Sequence, residues 1–401
     1  MSNGDYKPRR IALVTQGFFS GGGVPSVARW LRAGLEGTGN YSVDVFDLAT
    51  SHRDLHSRRI LRPITWARGS LRGPDRDGVQ QWGANAVELE VMRYRPRAEL
   101  TRSLRSYDLI QVVGGSPAAA RATSNCGVPV VLQTATTVKW ERRSLLAARA
   151  GVKRGWRGLM TRLTSHVEVE ALLGVDAVMV ENDDMFAFVK SVGQKNVNKA
   201  PPGVDVDRFT PNPEGWRADG YLLSVCRLGD ARKGLDRMVR AYHQLRLIHE
   251  TVPHLVLAGT GKLRRDVAKL IEELELGPYV EVRSDIAANE LAAIYRGASV
   301  FLQTSHEEGL GISVLEAMAA GLPVVSTETS GTRESVQNGE TGWLVSQDNE
   351  PDLACRFANT VLQVIQAEGG SMSQCARARV LSEFSLEVTL SRFTNTYESL
   401  L

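Results

Sequence analysis

The sequence predicts an α/β protein of two doubly wound, Rossmann-like domains that face each other across a cleft. Three observations predict it. The chain opens as strand, glycine-rich loop, helix and strand; the same alternation restarts after residue 215; and a proline-rich joint, "PPGVDVDRFTPNPEG" (201–215), separates the two runs. At 401 residues the chain is too long for one ordinary core, and 43% apolar with 23% charged residues is the make-up of a soluble globular protein.

Taken in order, "RRIALVTQG" (9–17) is an apolar run of strand character. The Gly-rich "SGGG" then leads into "VPSVARWLRAGLEG", which has helical spacing, Pro25 in its first turn and Gly37 at its end. "SVDVFDL" (42–48) alternates like a second strand. Residues 50–84 are Arg-rich and short of large aliphatics, and are expected to form a mobile loop or helical excursion. "YDLIQVV" (107–113) and "VPVVLQT" (128–134) read as buried strands around the small-residue helix "SPAAARATS". A long helical region over 141–173, basic at first, precedes "VDAVMVE" and "NVNKAPP". In the second half "YLLSVCRL", "HLVLAG", "YVEVRS", "SVFLQTS", "LPVVST" and "GWLV" are strands, with helices expected over 233–248, 262–276, 288–297 and 311–320. "SLEVTLSRFTNTYESLL" (385–401) is an amphipathic helix. The expected domains are 1–200 and 201–384, followed by that helix.

Composition narrows the class. No apolar run reaches the roughly 18–20 residues of a membrane span, and "MSNGDYKPRR" lacks the apolar core of a secretory signal. Cys126, Cys226, Cys355 and Cys375 lie far apart with no CxxC pattern, so a cytoplasmic protein without zinc or disulfide framework is expected. Residues 1–200 hold 29 Lys+Arg against 18 Asp+Glu, and the remainder 19 against 27. The first half thus suits something anionic, although opposite signs on two halves can also simply attract one another. Nucleic acid is not expected, because aromatic residues are not interleaved with the basic ones. The stretch "RRSLLAARAGVKRGWRGLMTR" could lie on an anionic membrane surface, but solvated arginines on a partly exposed helix are the plainer reading, and peripheral contact is not expected. Trp82 and Trp140 could stack on a sugar, with core packing as their ordinary fate.

Three motifs carry chemistry. "SHEEGLGISVLE" (305–316) joins a buried strand to a helix. Gly309 lets the backbone approach a ligand, and the free N–H groups around Leu310, Gly311 and Ile312 can hold phosphate. Glu308 and Glu316 would repel a bare phosphate but can accept hydrogen bonds from vicinal diols, so the stretch reads as a site for a diphosphate between two sugars. Its bland reading is a helix start whose acids complement the macrodipole. "SVCRLGDARKGLDRMV" (224–239) places Arg227 at a strand end and Lys233 before Gly234 at a helix start. Fixed cations there can neutralise a departing nucleoside diphosphate, with Arg232 competing for the role of Lys233. "TQGFFSGGGVPS" (15–26) is not a GxGxxG fingerprint, yet Gly22 and Gly23 permit close approach of phosphate or sugar. The DxD-like "DRD" (75–77) and "DVD" (205–207) do not follow strands in a way that aims them at a diphosphate, so no metal or other cofactor is expected.

These segments together resemble the large retaining GT-B glycosyltransferase family often called family 4, or glycosyl transferases group 1. The similarity lies in Glu308 and Glu316 within "S-x-x-E-G-x-G", in "CRLGDARKG", "PPGVDVDRFTP", "ELAAIYRGASVFLQTS" and "EAMAAGLPVVSTETSGTRESVQNGETGWLV". It is dense over about 200–346, looser at 9–48 and 107–134, and absent at 50–105. The resemblance implies that Glu316 binds ribose hydroxyls, that Glu308 binds the donor sugar, and that Arg227 and Lys233 hold the diphosphate. Backbone around Leu310 and Gly311, and Gly22–Gly23 across the cleft, would assist them. Gly259 and Arg283 would belong to the nucleotide site, and the last helix would return to the first domain. Two departures bear on the donor. Gln111 and Val113 stand where the family commonly has histidines in "D-V-V-H-x-H", and Ala135 stands where a "T-x-H" loop often has one. Contacts to the sugar would then pass to Gln133 or Thr134, or the sugar would differ there.

The resemblance implies a metal-independent, retaining transferase that moves a hexosyl or N-acetylhexosaminyl group from a nucleotide sugar, UDP before GDP, to a hydroxyl acceptor. The rivals are an epimerase or phosphorylase of the same fold and a non-catalytic glycan- or nucleotide-binding subunit. Acceptor and oligomeric state are not legible.

Overall fold

The computed structural model describes residues 7–20, 22–51, 53–142, 152–366 and 369–401. The chain divides into two compact units, Met1–Pro201 with Leu390–Leu401, and Pro202–Thr389.

The first unit is built on seven parallel strands: β1 Arg9–Thr15, β2 Tyr41–Leu48, β3 Val79–Trp82, β4 Leu109–Gly114, β5 Val130–Thr134, β6 Ala177–Val180 and β7 Val197–Lys199. Their order is β3-β2-β1-β4-β5-β6-β7. The order reverses between β1 and β4, the switch point at which open α/β sheets bind ligands. Strands buried on both faces need near-continuous apolar runs, and Ile11–Val14 supplies one, while Leu109–Val113 is interrupted only by the buried Gln111. Helix Gly23–Gly37 follows β1 and buries Val27, Ala28, Leu31 and Leu35.

Two expectations are corrected here. Residues 50–84 are not merely loop or helical excursion: Val79–Trp82 adds a seventh strand, with Val45 opposite Val79 and Leu48 opposite Trp82. Four residues with two glutamines in the middle are too short a pattern to register as a strand. Trp82 is buried in the core and Trp140 packs edge-on against Phe188 at 5.5 Å, the core packing expected of both from the sequence. "SPAAARATS" forms a 3₁₀ helix over Pro117–Thr123. Of the helical region expected over 141–173, helix Val152–Leu173 is seen, and 143–151, with much of the basic stretch, lie outside the described residues.

The second unit has six parallel strands: β8 Tyr221–Arg227, β9 Leu255–Thr260, β10 Val280–Ser284, β11 Ala298–Gln303, β12 Val324–Thr327 and β13 Gly342–Val345, in the order β10-β9-β8-β11-β12-β13. Helices cover both faces. Ala288–Arg296, Ile312–Ala319 and Gly370–Arg379 contribute to one apolar cluster; Leu235–Ile248, Arg265–Glu273 and Glu350–Gln366 contribute to another. The sequence reading names no element over 347–384. Helix Glu350–Gln366 was nonetheless written there, since Leu353, Phe357, Val361 and Val364 recur on one face and are buried. Here too the order reverses next to the first strand, between β8 and β11.

The terminal helix, Leu386–Glu398, starts in the second unit, and its residues from Leu390 belong to the first. There Phe393 meets the Trp30 ring at 5.5 Å, and the Tyr397 hydroxyl donates to Gln111 Oε1 at 2.7 Å.

Candidate functional site

The switch point of the second sheet is flanked by the turn after β8 (228–234) and the loop after β11 (304–311). Backbone chemistry locks the two together. Gly234 adopts a left-handed φ of 59°, and a Cβ there would stand 2.1 Å from the carbonyl oxygen of Thr304. The Thr304 hydroxyl donates to the Gly234 carbonyl at 2.8 Å, and the His306 amide to the Arg232 carbonyl at 2.8 Å. Only glycine tolerates both that conformation and that approach. Gly331 braces the same loop from the other side: its amide donates to the Glu308 carbonyl at 2.9 Å, and a Cβ would lie 2.5 Å from Leu310 backbone.

This packing brings Lys233 onto Glu308, 75 residues away in sequence, in an ion pair whose side chains are 18% and 11% exposed. Glu308 Oε1 also accepts from Gln303 Nε2 at 2.7 Å and from the Ser305 hydroxyl at 2.8 Å. Burial works to raise this carboxyl, but Lys233, Ser305 and Arg232 together hold it below its ordinary range. Glu308 is therefore anchored as a carboxylate through one oxygen, and none of these three bonds uses Oε2.

The helix Ile312–Ala319 begins at Gly311, whose φ of 81° is again left-handed. The first N–H groups of such a helix have no acceptor inside it and make a place for an anion. Glu316 lies one turn in. Its Oε2 accepts from the Tyr295 hydroxyl at 2.7 Å, and burial pushes its carboxyl up to about 7 despite that bond and the nearby Arg208. The two glutamates so titrate on opposite sides of their ordinary value: one has a buried cation beside it and the other a phenol.

Arg227 leaves the end of β8 and pairs with Asp230 at 2.6 Å, where Arg232 also bonds at 3.0 Å. The competition between Arg232 and Lys233 is thus resolved in space, with Arg232 on Asp230 and Lys233 on Glu308. Burial works to raise Asp230, but its bonds to Arg232 and the charge of Arg227 leave it below the usual carboxylate range.

Other residues singled out from the sequence fall elsewhere. Gly259 has a structural reason, since a Cβ there would stand 1.7 Å from the carbonyl oxygen of Cys226 on the adjoining strand. Arg283 bonds Glu281 at 2.7 Å and lies 5.6 Å over the ring of Tyr221. In register it stands beside Ala258 of β9, which pairs with Val225 of β8, and with Ser284, Asp285 and Ile286 it lines a pocket of its own. In the first unit Gly22 precedes helix Gly23–Gly37 with a φ of 125°, and at neither Gly22 nor Gly23 would a Cβ meet any atom within 4 Å. Gln133 donates to Glu181 Oε1 at 3.2 Å, and the Thr134 hydroxyl donates to the Thr136 carbonyl at 3.3 Å. Gln111 is fully buried, held by Tyr397 and by its own bond to the Val112 carbonyl at 3.0 Å; Val113 is core, and the Ala135 carbonyl accepts from Asn182 at 3.0 Å.

Sequence reasoning missed Gln303, Ser305, Tyr295 and Asp230, the groups that hold the chosen side chains. Spacing could have flagged Gln303 and Ser305, which flank the loop. Nothing local links Tyr295 to Glu316, whereas Asp230 stands two residues before Arg232 and caps its turn, a local signal that could have flagged it. Among the described residues no three His, Cys, Asp or Glu side chains gather as a metal site. Among them, too, no helix is long and apolar enough to cross a membrane.

Comparison with known proteins bears on the same region. Residues 210–366 match the family model described as Glycosyl transferases group 1. A putative colanic acid biosynthesis glycosyltransferase, WcaL of Salmonella typhimurium, is 33% identical over 203 residues, covering 48% of this chain and 49% of the relative. The chain thus spans about half the length of the curated relatives it matches. Sucrose-phosphate synthase from Thermosynechococcus elongatus superimposes with a TM-score of 0.72 at 21% identity, covering 98% of this chain and 99% of that one. Anabaena HepE, solved with UDP and glucose, gives 0.68 at 14% identity over 98% and 100%. The two parallel sheets form the GT-B fold, and residues 210–366 of the second unit are similar to the Glycosyl transferases group 1 family.

Proposed function

We propose that the chain is a cytoplasmic, metal-independent, retaining glycosyltransferase. It moves a hexosyl or N-acetylhexosaminyl group from a nucleotide sugar, UDP before GDP, to a hydroxyl of a small-molecule natural product, glycan or lipid. The observation that carries this reading is the Lys233–Glu308 ion pair, in the loop that leads at a sheet switch point into the helix carrying Glu316 one turn in. The family match and the WcaL relative support the transferase class, and HepE, solved with UDP and glucose, supports UDP.

In this reading the helix amides around Leu310, Gly311 and Ile312 take the diphosphate. Arg227 and Lys233 neutralise it as it leaves with the electron pair of the C1–O bond. Glu308 offers Oε2 to a hydroxyl of the donor sugar, and Glu316 accepts the ribose hydroxyls. The acceptor hydroxyl attacks from the face the diphosphate leaves, and its proton passes to a donor phosphate oxygen, so no separate base is required. In the free protein Lys233 and Glu308 satisfy one another. An arriving donor would give phosphate to the one and hydroxyl to the other.

The test is a panel of UDP- and GDP-sugars incubated with the protein in EDTA, following nucleoside diphosphate release and the anomer formed by NMR. Release with retained configuration is expected. No thermal shift with UDP, GDP, ADP or TDP would overturn the donor site. An inverted product would overturn the stereochemistry, and activity lost on chelation and restored by Mg²⁺ would overturn the metal-free clause.

A further inference from the structure

The loop between β2 and β3 is built inside out. Between residues 55 and 74 there is no Asp or Glu, while Arg58, Arg59, Arg62, Arg68 and Arg72 all fall there. Most of its large apolar side chains point to solvent: Leu61 is 84% exposed, Ile64 83% and Leu55 73%, with Ile60 and Trp66 also exposed. Its polar groups are turned inward instead. Thr65, 6% exposed, accepts from the Arg59 amide at 2.8 Å and donates to the Arg62 carbonyl at 2.8 Å. Trp66 Nε1 donates to the Arg59 carbonyl at 2.8 Å, and the Ser57 hydroxyl, wholly buried, accepts from the Ala84 amide at 2.9 Å. The loop is therefore held in shape largely by hydrogen bonds, with Leu71 buried beneath it, while Leu55, Ile60, Leu61 and Ile64 contribute nothing to the core. Soluble surfaces seldom keep such residues together without something to cover them.

The charge pattern says what covers them. The acids that touch the loop are already engaged by its own groups: Asp54 accepts from the Ser57 amide at 2.7 Å and Glu88 from the Ile60 amide at 3.1 Å. Arg58, Arg59, Arg62 and Arg68 form no ion pair among the described residues. Arg58, Arg59 and Arg68 donate to Asn85 and to backbone carbonyls, so their charges stay uncompensated. Aliphatic side chains and a tryptophan beside guanidinium groups with no carboxylate partner match an interface that is apolar beneath and anionic above, which is a membrane with acidic headgroups. A second copy of the same face would bring arginine against arginine.

We propose that residues 55–72 form a docking site for an anionic lipid surface, with Leu61 and Ile64 entering the acyl boundary and Arg62 and its neighbours pairing with headgroup phosphates. This is independent of the transferase reading.

The full chain is mixed with sucrose-loaded vesicles of phosphatidylcholine alone or with one third phosphatidylglycerol, and pelleted. Partitioning at least about ten-fold stronger on the anionic vesicles, weakened by salt, is expected, since each basic residue near such a surface contributes several-fold. Leu61→Glu with Ile64→Glu should abolish it. Arg62→Glu should weaken it about five-fold or more, and both should leave the melting temperature unchanged because these side chains make no core contacts. Absence of partitioning, equal partitioning on both vesicle types, or partitioning that survives the double substitution overturns the proposal. So does wild-type self-association that the same double substitution removes, or tight binding to heparin or RNA that outcompetes the vesicles.

Discussion

Both sheets place a glycine-rich loop and a helix start after the strand at, or next to, their switch point, and the two loops are furnished differently. Around Gly22–Gly23 in the first unit the backbone is open, no side chain caps the helix, and its first turn contains no acid. Around Gly309–Gly311 in the second, two carboxylates and a lysine are locked in place by Gln303, Ser305 and Tyr295, and Gly331 presses on the loop from behind. Two helix starts with the same dipole thus differ in preorganisation. A helix N-terminus attracts any anion; fixed side chains around it choose one.

The largest effect should come from cutting that furniture. Lys233→Ala removes the cation beside Glu308 and the proposed partner of the leaving diphosphate. A loss of about 10²–10³ in turnover is expected, with a stability loss of about 1–3 kcal/mol from the unpaired carboxylate. Turnover near wild type would end the electrostatic reading. Next comes a matched pair of glycines. Gly331→Ala forces a Cβ within 2.5 Å of Leu310 backbone and should cost about 1–3 kcal/mol by thermal or urea unfolding. Gly23→Ala meets nothing within 4 Å and should stay within about 0.5 kcal/mol. Should Gly23→Ala nonetheless depress transfer with stability intact, the open loop of the first unit is itself a ligand contact and the contrast narrows.

A pH series sharpens the division between the two glutamates. Glu316 titrates near 7 in the folded protein against an ordinary 4.5, because burial disfavours its charge. Folded and unfolded states then bind protons unequally between those values. Its contribution to stability is fully present below about pH 4.5 and is lost as pH rises through about 7. Nucleotide affinity should move the other way, strengthening as pH rises through 7, because ribose hydroxyls need the carboxylate form. Glu316→Gln should flatten both profiles; an unaltered binding profile would remove Glu316 from the ribose role. The smallest effect is expected at Arg283, already paired with Glu281 on the surface. Arg283→Ala should change nucleotide affinity less than about three-fold and stability by less than about 1 kcal/mol, and a large loss of affinity would return it to the site.

Much of this was legible in the chain. The apolar runs at Ile11–Val14 and Phe301–Gln303 are buried strands, and Lys233 and Glu308, taken from two separate motifs, pair in space. What was not legible had physical causes. Val79–Trp82 is strand only because β2 offers it an edge, which four residues with two glutamines do not announce. Arg283, which the resemblance places in the nucleotide site, pairs in the free protein with Glu281 two residues before it. Gln111, where a histidine is common in the resembling family, is turned to Tyr397 of the terminal helix, 286 residues away, so its substitution is part of a packing contact.

The sequence by itself determined the class: periodicity decides strand and helix, glycines mark where backbone must be left-handed or close, and the Arg/Lys and Glu/Glu spacings name the chemistry. Tertiary structure alone decided the charge state of that chemistry. Glu308 and Glu316 are the same residue type eight positions apart. Their protonation diverges because one is folded against Lys233 and the other against Tyr295, and electrostatic energy depends on distance in space and on burial, neither of which is written in spacing along the chain.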